Sequence, residues 1–394
     1  MKYNFDKIIK IKNTNSVKYD SAKKYGMPDG LFPMWLADMD FKVMPELTKA
    51  LEKSARHAVF GYTTTNQEYF EPIQKWFASN FNFGIKFDWL VNTPGVVFAI
   101  TMTIRALTKS RDAIIIQTPV YAPFSNVIEN NNRKLITNSL IYKNGKYTID
   151  FKDFENKIVK NKVKMFILCS PHNPIGKIWR KEDLIKLGTL CLKHKVIIVA
   201  DEIHCDFAYK GYKHIVFASL KKDFLMNTVM CTSGGKTFNF AGLQIANIFI
   251  ANKNFKEKVI LEIAKTGYDG LSKSGVVACQ TAYKYGDKWL KEVKDYIYNN
   301  LSYIRNFLKT NIPKLKLVDP EGTYLIWIDC TELGINEKHL KDILENKAKL
   351  WVAMGSSFGV EGTNFIRIAI ATPLINIKTA FNKLFKALKS EKLI

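Results

Sequence analysis

The chain has 394 residues, 47% of them apolar and 24% charged, with a formal net charge of +23. That length exceeds one ordinary hydrophobic core, so two domains are expected, and no run is apolar for long enough to cross a bilayer. The charge excess is mostly lysine spread from end to end, without a dense basic arm, which argues against nucleic acid as a partner.

In chain order, the first segment, Met1 to Lys12, mixes Lys, Asp and Ile and has no apolar stretch or small-residue cleavage site, so a cytoplasmic protein is expected. Further on, Thr93-Pro94-Gly95-Val96-Val97 precedes the helical pattern of Phe98–Leu107. A glycine turn opening a helix presents free backbone N–H groups to an anion such as a phosphate. Ala113–Val120 reads as a buried strand, and Tyr121 at its end offers a ring that can stack on a planar ligand. Val163–Cys169 is a second strand; after it comes Ser170-Pro171-His172-Asn173-Pro174, a rigid turn that holds out the Asn173 amide.

Lys181–His194 has apolar residues at helical spacing, and Val196–Ala200 is again a strand. Asp201 ends that strand. A carboxylate there needs a cation, unless it caps the next helix. His204 is open between a core histidine and a ligand-binding one. Thr228–Thr232 is the next strand, followed by Ser233-Gly234-Gly235-Lys236. A lysine at a strand end, beside glycines that permit close approach, suits a Schiff base, although a plain surface loop is the alternative. Ala246–Ala251 is a further strand.

These runs are short, β-branched and apolar on both faces, and helices alternate with them, so a mostly parallel sheet wrapped by helices is expected. The C-terminal part changes character, with a long helix over Trp289–Leu308, strands at Tyr324–Ile328 and Phe365–Ile370, and a helix at Leu340–Ala348 between them. That predicts a smaller α+β domain. We expect a large domain over 46–284 and a small one from 1–45 plus 285–394. Arg367 lies inside an apolar strand and needs a partner, either a substrate carboxylate or a structural ion pair. The cysteines (Cys169, Cys191, Cys205, Cys231, Cys279, Cys330) form no CxxC pair and do not cluster with histidines. Reduced core cysteines and no metal are expected.

The ordered set Gly95, Tyr121, Asn173, Asp201, Lys236 and Arg367 resembles the fold-type I aminotransferase superfamily of pyridoxal-5′-phosphate (PLP) enzymes. Pro33-Met34-Trp35-Leu36-Ala37-Asp38-Met39-Asp40-Phe41, Asp201-Glu202-Ile203-His204 and Lys236-Thr237-Phe238-Asn239-Phe240-Ala241-Gly242-Leu243-Gln244 are similar to its MalY/PatB branch, which contains cystathionine β-lyases and other C–S lyases. The resemblance implies an α/β fold, with a mostly parallel seven-stranded sheet in the large domain. It implies PLP as cofactor, bound to Lys236 as a Schiff base, with the same lysine acting as base at Cα. Asp201 would pair with the pyridine nitrogen, Asn173 would bond the phenolic oxygen, and Tyr121 would stack on the ring. Val96, Val97 and Ser233 would hold the phosphate, with Tyr62 reaching that of a neighbouring subunit in a homodimer, and His204 counts among the cofactor-binding residues. Arg367, Asn173 and Ala37 would bind the substrate amino acid.

Two positions depart from the wider pattern. Gln244 stands where many aminotransferases carry an arginine, and Gly235 where the branch often has serine. The implied reaction is an α,β-elimination that releases a thiol, pyruvate and ammonia. An aminotransferase is the alternative enzyme, and a regulatory or interaction protein retaining the fold is the alternative of another class.

Overall fold

The computed structural model describes residues 3–394. The alternating runs form a seven-stranded sheet. Its strands are β1 (Leu90–Thr93), β2 (Ala113–Thr118), β3 (Lys134–Ser139), β4 (Met165–Cys169), β5 (Ile197–Asp201), β6 (Thr228–Thr232) and β7 (Ala246–Phe249). The order across the sheet is β1-β7-β6-β5-β4-β2-β3, and β7 alone runs antiparallel to its neighbours. β2, β4, β6 and β7 are buried at every residue, as strands covered on both faces must be. Ile115, Phe166, Leu168 and Ile198 pack into the core on one face, and Ile114, Ile116, Ile167 and Val199 into the core on the other.

The helix expected over Lys181–His194 runs from Lys181 to Lys193 and buries Leu184, Leu187 and Cys191. All six cysteines are free and buried. The strands β1 and β3 were not anticipated. Both lie at sheet edges and alternate buried with half-buried residues, so neither carries a continuous apolar run.

A second, antiparallel sheet holds β8 (Lys316–Val318), β9 (Leu325–Asp329), β10 (Ala353–Met354) and β11 (Phe365–Ala369), in the order β8-β9-β11-β10. The long helix spans Asp287–Asn311 and buries Trp289, Val293, Ile297, Leu301, Ile304 and Leu308 on one stripe. The helix expected at Leu340–Ala348 starts earlier, at Glu337, and becomes a π-turn over Ile343–Lys347. The N-terminal segment joins these elements. Phe32–Pro33 pairs in parallel with Leu350–Trp351, and the Phe5 ring meets Trp289 edge-on. Among the described residues no helix is long and apolar enough to cross a membrane.

Candidate active site

The carboxyl ends of parallel strands are where such sheets bind ligands, because the loops there leave free backbone groups and helix N-termini. Five strands deliver side chains to one cavity of about 200 Å³. It is lined by Val96 and Val97 after β1, Tyr121 after β2, Asn173 after β4, Asp201 and His204 from β5, and Lys236 after β6. Arg367 enters from β11, and Leu36 and Ala37 enter from the N-terminal strap. Four larger grooves, of about 490, 510, 390 and 340 Å³, contain none of these groups.

Asp201 is the last residue of β5 and sits in register between Cys169 of β4 and Cys231 of β6. Its carboxylate accepts from the Ile203 N–H at 3.1 Å. Burial, then the neighbouring Glu202 charge, pushes its pKa up to about 7. Lys236 follows β6 in a short helix, Gly234–Thr237, and its amine donates to the Ala37 carbonyl at 2.6 Å. Lys236 is half-buried and packed round by protein. Desolvation lowers its pKa first, the Arg367 charge lowers it further, and Asp38 and Asp201 oppose both.

Arg367 is buried. It donates from Nη1 to Asn173 Oδ1 at 3.1 Å and from Nη2 to the Trp35 carbonyl, and its guanidinium lies 4.9 Å from the Phe358 ring centroid. Its Nε has no partner, and among the described residues no carboxylate pairs with it. Burial draws its pKa down to about 10. His204 is also buried, with an unpartnered Nδ1, and burial together with the Lys236 and Arg367 charges holds its pKa near about 3. It is therefore a neutral imidazole at any ordinary pH.

The helix Val96–Leu107 has Gly95 at its N-cap and no side-chain cap, so the N–H groups of its first turn are available to an anion. Two residues of the expected set stand apart from the cavity lining. The Ser233 hydroxyl donates to the Ile245 carbonyl at 2.8 Å and accepts from the Gly235 N–H at 3.0 Å, which caps the lysine helix. Those partners occupy the hydroxyl that the resemblance assigned to a phosphate. Tyr62 is fully exposed, beside exposed Val59 and Phe60. Gly235 has a steric reason: a Cβ there would lie 3.0 Å from Ala241 Cα and 3.2 Å from Ser233 Oγ.

Sequence reasoning passed over Leu36, Cys169, Ile203, Asp38 and Tyr324. The first three line the cavity, Asp38 counters the charge of Lys236, and the Tyr324 hydroxyl donates to the same Ala37 carbonyl at 3.2 Å. Leu36, Asp38 and Ile203 lay within the quoted motifs. The other two offered only an apolar strand context.

The set fits PLP on this structure's own evidence. His204 and Arg367 line the cavity and each keeps an unpartnered buried nitrogen, an anion site opens at Val96 and Val97, and a buried carboxylate shares the cavity with a lysine. A prediction follows for cofactor-free protein. The folded carboxyl of Asp201 holds its proton up to about pH 7, whereas the unfolded one releases it near ~3.9. Its contribution is therefore most favourable below ~pH 4 and is lost as pH rises to about 7, a penalty of up to ~4 kcal/mol at 1.36 kcal/mol per unit. Asp201→Asn, which cannot ionise, is expected to gain on wild type between about pH 4 and about pH 7, and to level off above that, in urea unfolding of the cofactor-free proteins. A pH-independent difference contradicts the assignment.

The family model for aminotransferase class I and II matches residues 36–384. "Cystathionine beta-lyase PatB" of Bacillus subtilis is 38% identical, over 98% of this chain and all of that protein. "Protein MalY" of Escherichia coli is 30% identical, over 98% of this chain and 99% of that protein. The crystal structure of cystalysin from Treponema denticola, described as containing a pyridoxal 5′-phosphate cofactor, superposes with a TM-score of 0.96 at 36% identity, covering 99% of this chain and 100% of that one. Matches of this extent leave no part of either sheet unaccounted for, and the chain belongs to the class I and II aminotransferase family, in the branch that holds PatB and MalY.

Proposed function

We propose that this protein is a PLP-dependent carbon–sulfur lyase that cleaves cystathionine or cysteine-type amino acids by α,β-elimination to pyruvate, ammonia and a thiol. The observation that carries the reading is the buried Arg367 guanidinium, without a carboxylate partner among the described residues, lining the same cavity as Lys236 and Asp201. An α-carboxylate is the ligand such a guanidinium lacks. The names of PatB and of a structural neighbour of this chain, the PLP-bound C–S lyase from Staphylococcus hominis, support the reaction class.

When bound, the cofactor supplies a protonated pyridine ring as an electron sink for the pair left at Cα. The chain's residues do the rest. Asp201 would pair with the ring nitrogen and, ionised by that positive partner, would keep the nitrogen protonated. Val96 and Val97 hold the phosphate through backbone N–H groups, and Tyr121 covers the ring face. Asn173 uses its carbonyl on Arg367, so its NH₂ remains to donate to the phenolic oxygen. His204 would border the cofactor as a neutral ring. Arg367 would fix the substrate carboxylate and so orient the Cα–H bond for Lys236. Lys236, whose pKa burial lowers, removes that proton as a neutral amine. Leu36 and Ala37 cover the cavity and keep water from the reacting atoms. Sulfur at Cβ is the favoured leaving atom because a thiol ionises near ~8.5, far below a hydroxyl.

A homodimer is part of the same proposal. Val59, Phe60 and Tyr62 are exposed, and Thr63 joins exposed Ile260 in one groove, so an apolar face continues across both segments. Tyr62 would reach a second copy's phosphate from there. We also place the domain division at 45/46 and 284/285, and the protein in the cytoplasm. Incubation of the holoenzyme with cystathionine, and separately with cysteine, without a keto acid tests the reaction. Steady pyruvate release over many turnovers is expected. A single turnover that resumes only when a keto acid is added identifies an aminotransferase instead.

A further inference from the structure

The strap over residues 33–40 has two backbone carbonyls at the reactive groups. Trp35 O accepts from Arg367, and Ala37 O accepts from both Lys236 and Tyr324. Ala37 and Leu36 also line the cavity. The placement of this short backbone run therefore sets how much room remains around Arg367 for a carboxylate.

Both ends of the strap are paired to the small domain. Met34 N donates to Trp351 O at 2.8 Å, and Asp40 N donates to Ala371 O at 2.9 Å. The other tie is ionic and lies outside the cavity. Lys18 Nζ donates to Asp40 Oδ1 at 2.9 Å, and both residues are buried, at 2% and 5% exposure. The Lys18 carbonyl also accepts from Trp35 Nε1 at 3.3 Å. Tyr19, next in the chain, is pushed up in pKa by burial and then by the Asp40 charge, so its phenol stays protonated beside that carboxylate. Lys18 therefore touches the strap at Trp35 and at Asp40, on either side of the Ala37 carbonyl. A lysine buried this deeply on a four-residue helix has no role in a large core, since the helix Val17–Asp20 buries no other residue.

We propose that Lys18 and Asp40 are positioning residues for substrate binding, which act through Trp35 and Ala37 by fixing the strap above Arg367 and Lys236. The substrate half of this statement rests on the reaction proposed above; the mechanical half does not. Removing the lysine frees the strap to shift. A displacement of about 1 Å at a binding contact commonly costs on the order of 100-fold. The loss falls on substrate capture, because neither residue touches the reacting atoms.

The test uses Lys18→Met and Lys18→Arg in the holoenzyme. For Lys18→Met, KM is expected to rise by about tenfold or more while kcat stays within about threefold. Lys18→Arg, which keeps the charge, is expected to restore most of the KM. Amide exchange supplies a readout independent of turnover: the peptide covering residues 32–40 is expected to exchange at least about tenfold faster in Lys18→Met, while that covering Ile197–Asp201 is unchanged. An unchanged KM, or acceleration of exchange in both peptides together, overturns the proposal. Should Lys18→Met not fold, Asp40→Asn, which keeps the side chain's shape, is judged by the same criteria. If wild type releases no pyruvate, the reaction reading fails, and the exchange result still decides whether the ion pair holds the strap.

Discussion

Lys236→Ala is expected to lower kcat by about 10,000-fold, the upper range for loss of a general acid–base group. One amine serves twice in the proposed site, as the attachment of the cofactor and as the base at Cα. Its surroundings suit both tasks. Burial lowers its pKa, Asp38 and Asp201 keep it from losing its proton too readily, and its Nζ is already aimed into the cavity by the Ala37 carbonyl at 2.6 Å. The loop that carries it does not depend on the amine for its shape. Thr237 donates to Asp206 Oδ2 at 2.7 Å, Trp76 donates to Asp206 Oδ1 at 2.9 Å, and Ser233 caps the short helix. The variant should therefore fold, with a melting temperature close to wild type. Borohydride treatment followed by mass spectrometry should attach cofactor to wild type and not to the variant, and a small exogenous amine should return part of the proton-transfer rate. Turnover above about 1% of wild type would remove Lys236 from the role of base.

Much of this site was legible because strand ends announce themselves. β2, β4 and β6 are mostly apolar runs, and within a few residues of each end comes a side chain that lines the cavity, Tyr121, Asn173 and Lys236 in turn. Arg367 stood out for the converse reason, a charge inside an apolar strand. The edge strands β1 and β3 stayed hidden because half of each faces outward, so their composition is that of a loop. The second task of Ser233 was not legible, because a hydroxyl beside a lysine can serve a ligand or a helix end, and here it donates to the Ile245 carbonyl and accepts from the Gly235 N–H. Tyr62 lies on the surface of the single chain, where sequence and one subunit alike leave its target open. The ion pair of Lys18 and Asp40 could not be read at all. Both residues look like ordinary surface charges, and their burial comes from the strap folding back across 22 residues of chain.

Arg367→Lys is expected to lower kcat/KM by about 1,000-fold, mainly through KM, although the charge is kept. Guanidinium and ammonium differ in what they can do from this position. Arg367 meets Asn173 with one terminal nitrogen and Trp35 O with the other, and its plane lies over Phe358. A planar fork held on those supports can offer two parallel N–H groups to a carboxylate. A lysine is shorter, has no plane to rest on Phe358, and would leave the Asn173 carbonyl or the Trp35 carbonyl without a donor. Loss of one partner of a buried charged hydrogen-bonded pair costs roughly 2–5 kcal/mol, which spans about 30- to 5,000-fold. The chemical step should suffer less, because Lys236 and Asp201 keep their positions. The decisive comparison is an amino acid against the matching amine without its carboxylate. Wild type should discriminate between them strongly, and Arg367→Lys should nearly abolish the preference. Equal discrimination by both proteins would show that the buried guanidinium serves the fold, held by Asn173 and Trp35, and that the carboxylate binds elsewhere.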